Sequence, residues 1–182
     1  MCRTGYVPFI RDWRRQLLRD VRGFVLEVGA GRGPNLTHYP LGARVLATDF
    51  DAAAIGQARS RSNAHTGLAS ADIEHLAFPD ETFDAVVATL VFCSVERPVV
   101  GLREVRRVLK PGGRLHLIEH VRSPHRWLGR LQDKLNPRWY AWAEGCHLNR
   151  DTEAHVRTGG FEIESVLANY LGLIKTMVAR KP

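Results

Sequence analysis

Residues 25–33 read Val-Leu-Glu-Val-Gly-Ala-Gly-Arg-Gly, a short apolar run that leads directly into a glycine-rich turn. Such a run is typical of a buried parallel strand, and glycines let the turn approach a ligand without obstruction by Cβ atoms. A second apolar run, residues 44–48, ends at Asp49, twenty residues after Gly29. A carboxylate at this spacing can accept from both hydroxyls of a ribose, so the two features predict a site for a nucleotide-type cofactor.

The glycine spacing distinguishes between cofactors. The glycines fall at positions 29, 31 and 33, and Pro34 stands where a dinucleotide fingerprint, Gly-x-Gly-x-x-Gly, has its last glycine. A nicotinamide-dependent dehydrogenase is therefore disfavoured. The remaining alternative for this segment is a plain strand-to-helix turn of an α/β domain.

Composition favours one folded domain and small-molecule chemistry. The chain has 182 residues, 45% of them apolar, and a formal net charge of +7. That charge could indicate a nucleic-acid partner, but the arginines are spread out, and the denser groups in residues 11–15 and 103–107 are typical of helices with solvated basic faces. No nucleic-acid partner is expected.

The first residues of the chain and its cysteines indicate in which cellular compartment the protein is expected. Residues 1–8 lack the apolar core of a signal peptide, and no apolar stretch is long enough to span a bilayer. Cys2, Cys93 and Cys146 are odd in number and far apart, which predicts reduced thiols rather than disulfides or a Cys-x-x-Cys metal site. We expect a cytoplasmic protein without a metal.

The pattern of apolar residues predicts strands alternating with helices. Strands are expected over about 23–28, 44–48, 67–71, 85–90, 114–119, 161–167 and 175–180, the last two as an antiparallel pair. Helices are expected over about 9–22, 52–61 and 97–109. A further helix is expected to begin after Asn149 or Asp151 and to end at Thr158, and a short one is expected between Pro34 and Pro40. The aromatic-rich segment 123–150 predicts helices that cover the sheet edge. The fold class is an α/β, doubly wound, mostly parallel sheet with an antiparallel C-terminal strand, in a single domain over residues 1–182.

This order, with Glu27 two residues before the first glycine, resembles the class I S-adenosylmethionine-dependent methyltransferases. Asp72-Ile73, residues 76–80 and Phe83-Asp84 resemble the family's loop after the third strand. Residues 89–95, 103–113, 119–121 and 145–152 resemble the methyltransferase-like thiol S-methyltransferases. The resemblance implies S-adenosyl-L-methionine as cofactor and a small molecule as methyl acceptor. The first candidate for the acceptor is an alkyl or aryl thiol.

The glycine turn and the first strands are expected to hold the cofactor's sugar and tail. Backbone N–H groups at Gly29, Gly31 and Gly33, with a short helix N-terminus, would favour the methionyl carboxylate. Glu27 would order this loop or meet the methionyl ammonium. Asp49 would bind the ribose hydroxyls, the alternative being a helix N-cap.

The adenine end is assigned by the resemblance. Phe50 would pack on the adenine face or belong to the core. Asp72 would accept from the adenine amino group, with the Ile73 backbone beside it, unless it is simply a turn aspartate. Thr89 and Leu90 end the fourth strand, at the edge where ligands bind, and would contact the methionyl part.

Methyl transfer from a sulfonium is an in-line displacement that mostly requires positioning in a dry pocket. A thiol is already partly ionised near neutral pH and needs at most mild help from a base. The candidates are His120, at the end of the fifth strand, and His147, in the late loop; each could instead be a structural hydrogen-bonding residue. Cys93 and Cys146 could form a metal or covalent site with these histidines, but no ligand pair has the spacing typical of zinc sites, so we interpret them as buried, unreactive thiols.

The sequence allows more than one acceptor, membrane relationship and oligomeric state. The acceptor could be a lipid, a quinone or another metabolite methylated on nitrogen or oxygen, and the domain could be a non-catalytic cofactor-binding regulatory module. The long apolar anchor of membrane-bound members is not expected here, while peripheral membrane contact is possible. The residues predict no particular oligomeric state.

Overall fold

The fold is built around a single seven-stranded sheet. In the computed structural model, which describes residues 10–143 and 145–182, the strands are β1 (Gly23–Val28), β2 (Ala43–Asp49), β3 (Thr66–Ser70), β4 (Phe83–Thr89), β5 (Leu109–His120), β6 (Glu162–Asn169) and β7 (Ile174–Arg180). The helices are α1 (Ile10–Leu18), α2 (Ala52–Gln57), α3 (Pro98–Val108), α4 (Arg126–Trp142) and α5 (Thr152–Thr158), and a 3₁₀ turn, Ala58–Arg61, follows α2. Residue 9, where the first helix was expected to begin, and Cys2 lie outside the described residues.

The strand order is β3-β2-β1-β4-β5-β7-β6. Pairs from β3 to β5 are parallel, and β7 runs antiparallel to both β5 and β6. The predicted fold class is confirmed. Because β2 lies on one side of β1 and β4 on the other, the winding reverses between β1 and β4. In open α/β sheets such a reversal leaves a ligand-binding crevice at the carboxyl ends of the strands.

Both faces of the sheet are buried, which explains the nearly continuous apolar runs of its strands. One face packs against α3 and α5, and its fully or nearly fully buried members include Leu26, Val86, Leu102, Val105 and Val156. The other face packs against α1 and α2, through Leu18, Val25, Ile55 and Val87. These two layers hold the carboxyl ends of the strands in fixed relative positions.

The segment between Pro34 and Pro40 differs from the prediction. No helix forms in residues 29–42, where the chain makes successive turns, with the N–H groups of Gly33 and Leu36 bonded to the Ala30 and Gly33 carbonyls. The two prolines leave about one helical turn between them, too little to nucleate a helix. The predicted short helix is wrong, and so is the helix N-terminus expected beside the methionyl carboxylate.

The late segment contains α4, so its predicted helical character is confirmed. The helix leaves several large apolar side chains exposed, namely Trp127, Leu131, Leu135 and Trp142. None of the helices in the described ranges combines the length and the apolar character that crossing a bilayer requires.

Candidate cofactor site

A cavity of about 500 Å³ opens where β1, β2, β3 and β4 end, at the reversal of winding. Six of the residues predicted to bind a cofactor line it: Gly29, Asp49, Phe50, Asp72, Ile73 and Leu90. Glu27, Gly31, Gly33 and Thr89 are not among its lining residues. The structure therefore brings the two predicted carboxylates, Asp49 and Asp72, to one cavity. The other four predicted residues lie outside the set that lines it.

The glycine turn needs glycine for its backbone. Gly29, Gly31 and Gly33 have φ values of +61°, +53° and +70°, in the left-handed region that other residues rarely adopt. A Cβ on Gly29 would stand 2.4 Å from Val91 Cγ2, in the cavity wall. The bare backbone thus lets the segment after β4 approach the turn closely.

Asp49 joins this turn to the end of β2. Its Oδ2 accepts from the Gly31 N–H at 2.8 Å, and its Oδ1 accepts from the Asp51 N–H at 2.9 Å. The carboxylate has about four acceptor positions, so two remain for a ligand in the cavity. The N-cap of α2 is Asp51, which accepts from the Ala53 and Ala54 N–H groups. The alternative role considered for Asp49 therefore belongs to Asp51.

Phe50 and Asp72 face the cavity from β2 and β3. Phe50 is 82% exposed and is no part of the core, so its ring is available to a planar ligand. Asp72 makes a turn in which its Oδ1 accepts from the Glu74 N–H at 2.8 Å, and its side chain stays 45% exposed. The turn role and the ligand role are therefore compatible. Ile73 lines the cavity and packs on the core.

Glu27 is fully buried behind the turn. Its Oε1 accepts from Asn35 Nδ2 at 3.0 Å, and the same nitrogen donates to Thr89 Oγ1 at 3.0 Å. Arg14 of α1 donates to Asn35 Oδ1 at 2.7 Å. Burial raises the pKa of Glu27 to about 7, against the lowering effects of Tyr39, Asn35 and Arg14. This geometry favours the loop-ordering role of Glu27. Asn35 was missed because nothing in the local sequence distinguishes it from a turn residue.

Glu119 holds the segment that follows β4, a role that the sequence did not reveal. Its carboxylate accepts from the Val91, Phe92 and Cys93 N–H groups at 2.9–3.0 Å. Burial raises the pKa of Glu119 to about 7, although these backbone donors lower it. Leu90 makes the bend before this segment with φ +59°. The sequence signal that could have pointed to Glu119 is its position as an acid at the end of an apolar strand.

An ion pair joins two walls of the cavity. Arg97 donates from its backbone N to Glu74 Oε1 at 2.8 Å and from Nε to Glu74 Oε2 at 2.6 Å. Both residues line the cavity and connect the loop after β3 with the loop before α3. The sequence gives no signal for this pair, because its members lie in separate polar loops.

The two predicted catalytic histidines lie apart from the residues that line the cavity. His120 is buried at the end of β5, with Nδ1 3.4 Å from Cys146 Sγ and its ring edge-on to Trp139. His147 packs against Tyr140, and its Nδ1 lies 3.2 Å from Asn136 Nδ2. Burial and the Arg150 guanidinium lower the pKa of His147. Their catalytic role stays a prediction.

The predicted basic faces need one correction. Arg11, Arg15 and Arg103 are exposed as expected. Arg14 is buried against Asn35, and Arg107 bonds to Glu104, to Asp80 and to the carbonyls of residues 76 and 78. The prediction of solvated faces is wrong for Arg14 and Arg107, because each satisfies polar groups of the loops around the site.

Comparison with known proteins adds sequence and fold relationships. Residues 26–118, half of the chain, match the family model described as a methyltransferase domain. Human thiol S-methyltransferase TMT1B is 36% identical over 156 residues, which are 76% of this chain and 63% of that protein. The chain thus spans less than two thirds of that relative's length.

Solved structures show the fold. An S-adenosylmethionine-dependent methyltransferase from Mesorhizobium loti superposes with a TM-score of 0.71 at 19% identity, over 93% of this chain and 96% of that one. The [4+2]-cyclase SpnF gives 0.74 at 20% identity, over 96% of this chain and 80% of that one. Since these two proteins are named for different activities on one fold, the fold alone does not decide the reaction.

Proposed function

The chain belongs to the class I S-adenosylmethionine-dependent methyltransferases, whose cofactor is S-adenosylmethionine, and from this premise we propose that it methylates a small thiol. The observation that carries the proposal is the shared cavity. It brings Asp49, Phe50 and Asp72 together beside the bare turn at Gly29. The thiol is proposed from the similarity to the human thiol S-methyltransferase.

Each lining residue would hold one part of the cofactor. The two open acceptor positions of Asp49 suit the two ribose hydroxyls, and the exposed ring of Phe50 suits one face of adenine. The half-exposed Asp72 carboxylate suits the adenine amino group. The bound cofactor supplies an electrophilic methyl group on a sulfonium. The protein's remaining task is to position the acceptor and exclude water.

His147 is the better of the two candidates for receiving the acceptor's proton. Burial and the Arg150 guanidinium lower the pKa of His147, which favours the neutral imidazole, the form that can accept a proton from a thiol. It is half-buried, whereas His120 is buried between Trp139 and Cys146. We therefore assign the role of accepting the thiol proton to His147. We expect His120 to act through its contacts with Trp139 and Cys146.

Calorimetry with S-adenosylhomocysteine tests cofactor binding. We expect Asp49→Asn to weaken binding about 100-fold, because two charge-assisted hydrogen bonds lose strength. Asp51→Asn is the matched control, since this neighbouring acid caps α2 and does not line the cavity. Equal affinities for wild type and Asp49→Asn, or no binding by the wild type, would contradict the proposal.

An acceptor panel tests the reaction. Alkyl thiols, aryl thiols, a quinol and an amino-lipid are compared by methyl incorporation with wild type and His147→Gln. We expect turnover with thiols, and for His147→Gln a rate loss that shrinks as pH rises and the free thiolate becomes abundant. Turnover with the quinol or the lipid alone would replace the thiol assignment. Tight cofactor binding without any turnover would favour a regulatory module.

A peripheral membrane contact belongs to the same proposal. Trp127, Leu131, Leu135 and Trp142 are exposed along α4, and basic side chains lie beside them at four-residue spacing: Arg126, Arg130, Lys134 and Arg138. Apolar and cationic side chains on one helix surface favour the interface of an anionic bilayer. We also propose a cytoplasmic location, in keeping with the small number and wide spacing of the cysteines along the chain.

A further inference from the structure

Three side chains that bind soft metals meet behind the cavity. Cys93 follows β4, His120 ends β5, and Cys146 lies in the loop after α4. Cys146 Sγ is 3.4 Å from Cys93 Sγ and 3.4 Å from His120 Nδ1, and all the potential ligand atoms lie within 4.8 Å of one another. The thiols are fully buried and the imidazole nearly so.

The two separations of 3.4 Å are close to those between ligands of a tetrahedral metal ion. Zinc–sulfur bonds of about 2.3 Å and zinc–nitrogen bonds of about 2.0 Å at tetrahedral angles place two sulfurs about 3.8 Å apart and a sulfur about 3.5 Å from a nitrogen. The observed separations differ from these by a few tenths of an ångström. We propose that Cys93, His120 and Cys146 bind one zinc ion.

Charge also favours this ion. Two thiolates and Zn²⁺ sum to zero, so the ion and the two sulfur ligands together bring no net charge into the interior. The cationic Arg150 side chain lies close by and favours thiolates, because its NH1 is held by the Phe92 and Val95 carbonyls on either side of Cys93. Binding converts two thiols to thiolates and releases two protons to solvent.

The ligands are held in place by contacts with main-chain atoms and rings. The Cys93 N–H donates to Glu119 at 3.0 Å, and the Cys93 carbonyl accepts from the His147 N–H at 2.8 Å. The second bond joins the two cysteine-bearing loops, and Trp139 packs edge-on against His120. A site held in this way loses little conformational entropy when the metal enters.

The expectation of a metal-free protein rested on the absence of closely spaced ligand pairs. Here the ligands are 26 and 53 residues apart and converge only through the sheet and α4. The Ser94 hydroxyl, 3.7 Å from Cys93 Sγ, belongs to a residue that lines the cavity. The metal site is thus a neighbour of the cofactor cavity, and its proposal does not depend on the methyl acceptor.

Cobalt titration of the reduced, metal-stripped protein tests the proposal. We expect a thiolate-to-cobalt charge-transfer band and strong tetrahedral visible bands that saturate at one equivalent and disappear when zinc is added. Cys93→Ser and Cys146→Ser should each weaken the band and lower metal affinity by more than the roughly 10–100-fold typical of outer-shell changes. His155→Gln, which removes a half-buried imidazole outside this cluster, is the control and should leave the titration unchanged.

X-ray absorption at the zinc edge of the wild-type protein needs no variant and keeps the test valid if a serine variant fails to fold. Two sulfur neighbours with nitrogen support the site; nitrogen and oxygen neighbours alone overturn it. A band that persists in Cys93→Ser, or no band in the reduced wild type, also overturns it. So does a reduced protein that takes up no metal and forms a Cys93–Cys146 disulfide in air.

Discussion

The cofactor edge, formed by the ends of β1 to β4, and the late region, residues 119–150, are built in different ways. At the cofactor edge each carboxylate lies at or just after the end of its own strand, and Asp49 binds the N–H groups of Asp51, two residues on, and of Gly31, 18 residues before it. In the late region Cys146 meets Cys93 and His120 across 53 and 26 residues of chain. The first arrangement is specified locally, while the second exists only after the chain has packed.

The two regions are joined at Glu119, which lies beside His120 in β5 and holds residues 91–93 through their N–H groups. Those residues lead from the cavity wall at Val91 to the thiol of Cys93. A change at Glu119 should therefore disturb both regions at once. The following predictions test how separate the two regions otherwise are.

The largest effect is expected for Glu119→Ala. Three N–H donors lose their acceptor inside the protein, which should lower the free energy of unfolding by about 3–5 kcal/mol. Urea unfolding measures this change, and calorimetry should show loss of S-adenosylhomocysteine binding. Glu162→Ala, which removes an exposed partner of Arg180, is the control and should have little effect. A loss below about 1 kcal/mol for Glu119→Ala would separate the two regions.

The next effect is the pH dependence of Glu27. Because burial raises its pKa from 4.5 to about 7, the native state keeps a proton that the unfolded chain releases. Its stabilising contribution is full below pH 4.5 and is lost as pH rises through 7. Glu27→Gln should therefore gain up to about 3 kcal/mol relative to wild type between pH 4.5 and 8.

Urea unfolding across this range measures the difference. Glu164→Gln is the matched control, because Arg114 lowers the pKa of Glu164 and its contribution is lost only as pH falls below 4.5. Its difference from wild type should stay constant between pH 5 and 8. Parallel curves for Glu27→Gln and wild type would contradict the burial argument.

Two glycine substitutions should have opposite signs. Gly29→Ala forces a left-handed residue against Val91 and should cost about 1–3 kcal/mol, with weaker S-adenosylhomocysteine binding. Gly56→Ala, inside α2 with open space around its Cβ, should gain about 0.5–1 kcal/mol. Thermal unfolding and calorimetry measure both, and a neutral Gly29→Ala would show that the turn tolerates a side chain.

The smallest effect is expected for Asp72→Asn. Its side-chain oxygen can still accept from the Glu74 N–H, so the turn survives, while the bond to adenine and the exposed contact with His75 Nδ1 weaken. We expect S-adenosylhomocysteine affinity to fall about 5–10-fold, equal to roughly 1 kcal/mol. Asp80→Asn, which removes an exposed partner of Arg107, should leave affinity unchanged. An unchanged affinity for Asp72→Asn would restrict this acid to its turn.

The sequence was informative wherever the signal is local. Alternation of apolar and polar runs predicted the strands, and the glycine spacing with Asp49 predicted the cofactor edge, because the carboxyl ends of neighbouring parallel strands share one edge. The turn at residues 34–40 was mispredicted as a helix. Pro34 is a good helix start, and the competing effect of Pro40 decided the conformation.

By itself, the sequence determined the strands of the sheet and the acids at their ends, since strand period and turn chemistry depend on neighbours in the chain. Only the tertiary structure decided that Asn35 and Glu119 support the cavity and that Cys93, His120 and Cys146 meet. These contacts join residues that have no fixed spacing along the chain. Their geometry follows from how the sheet and helices exclude water and satisfy buried polar groups.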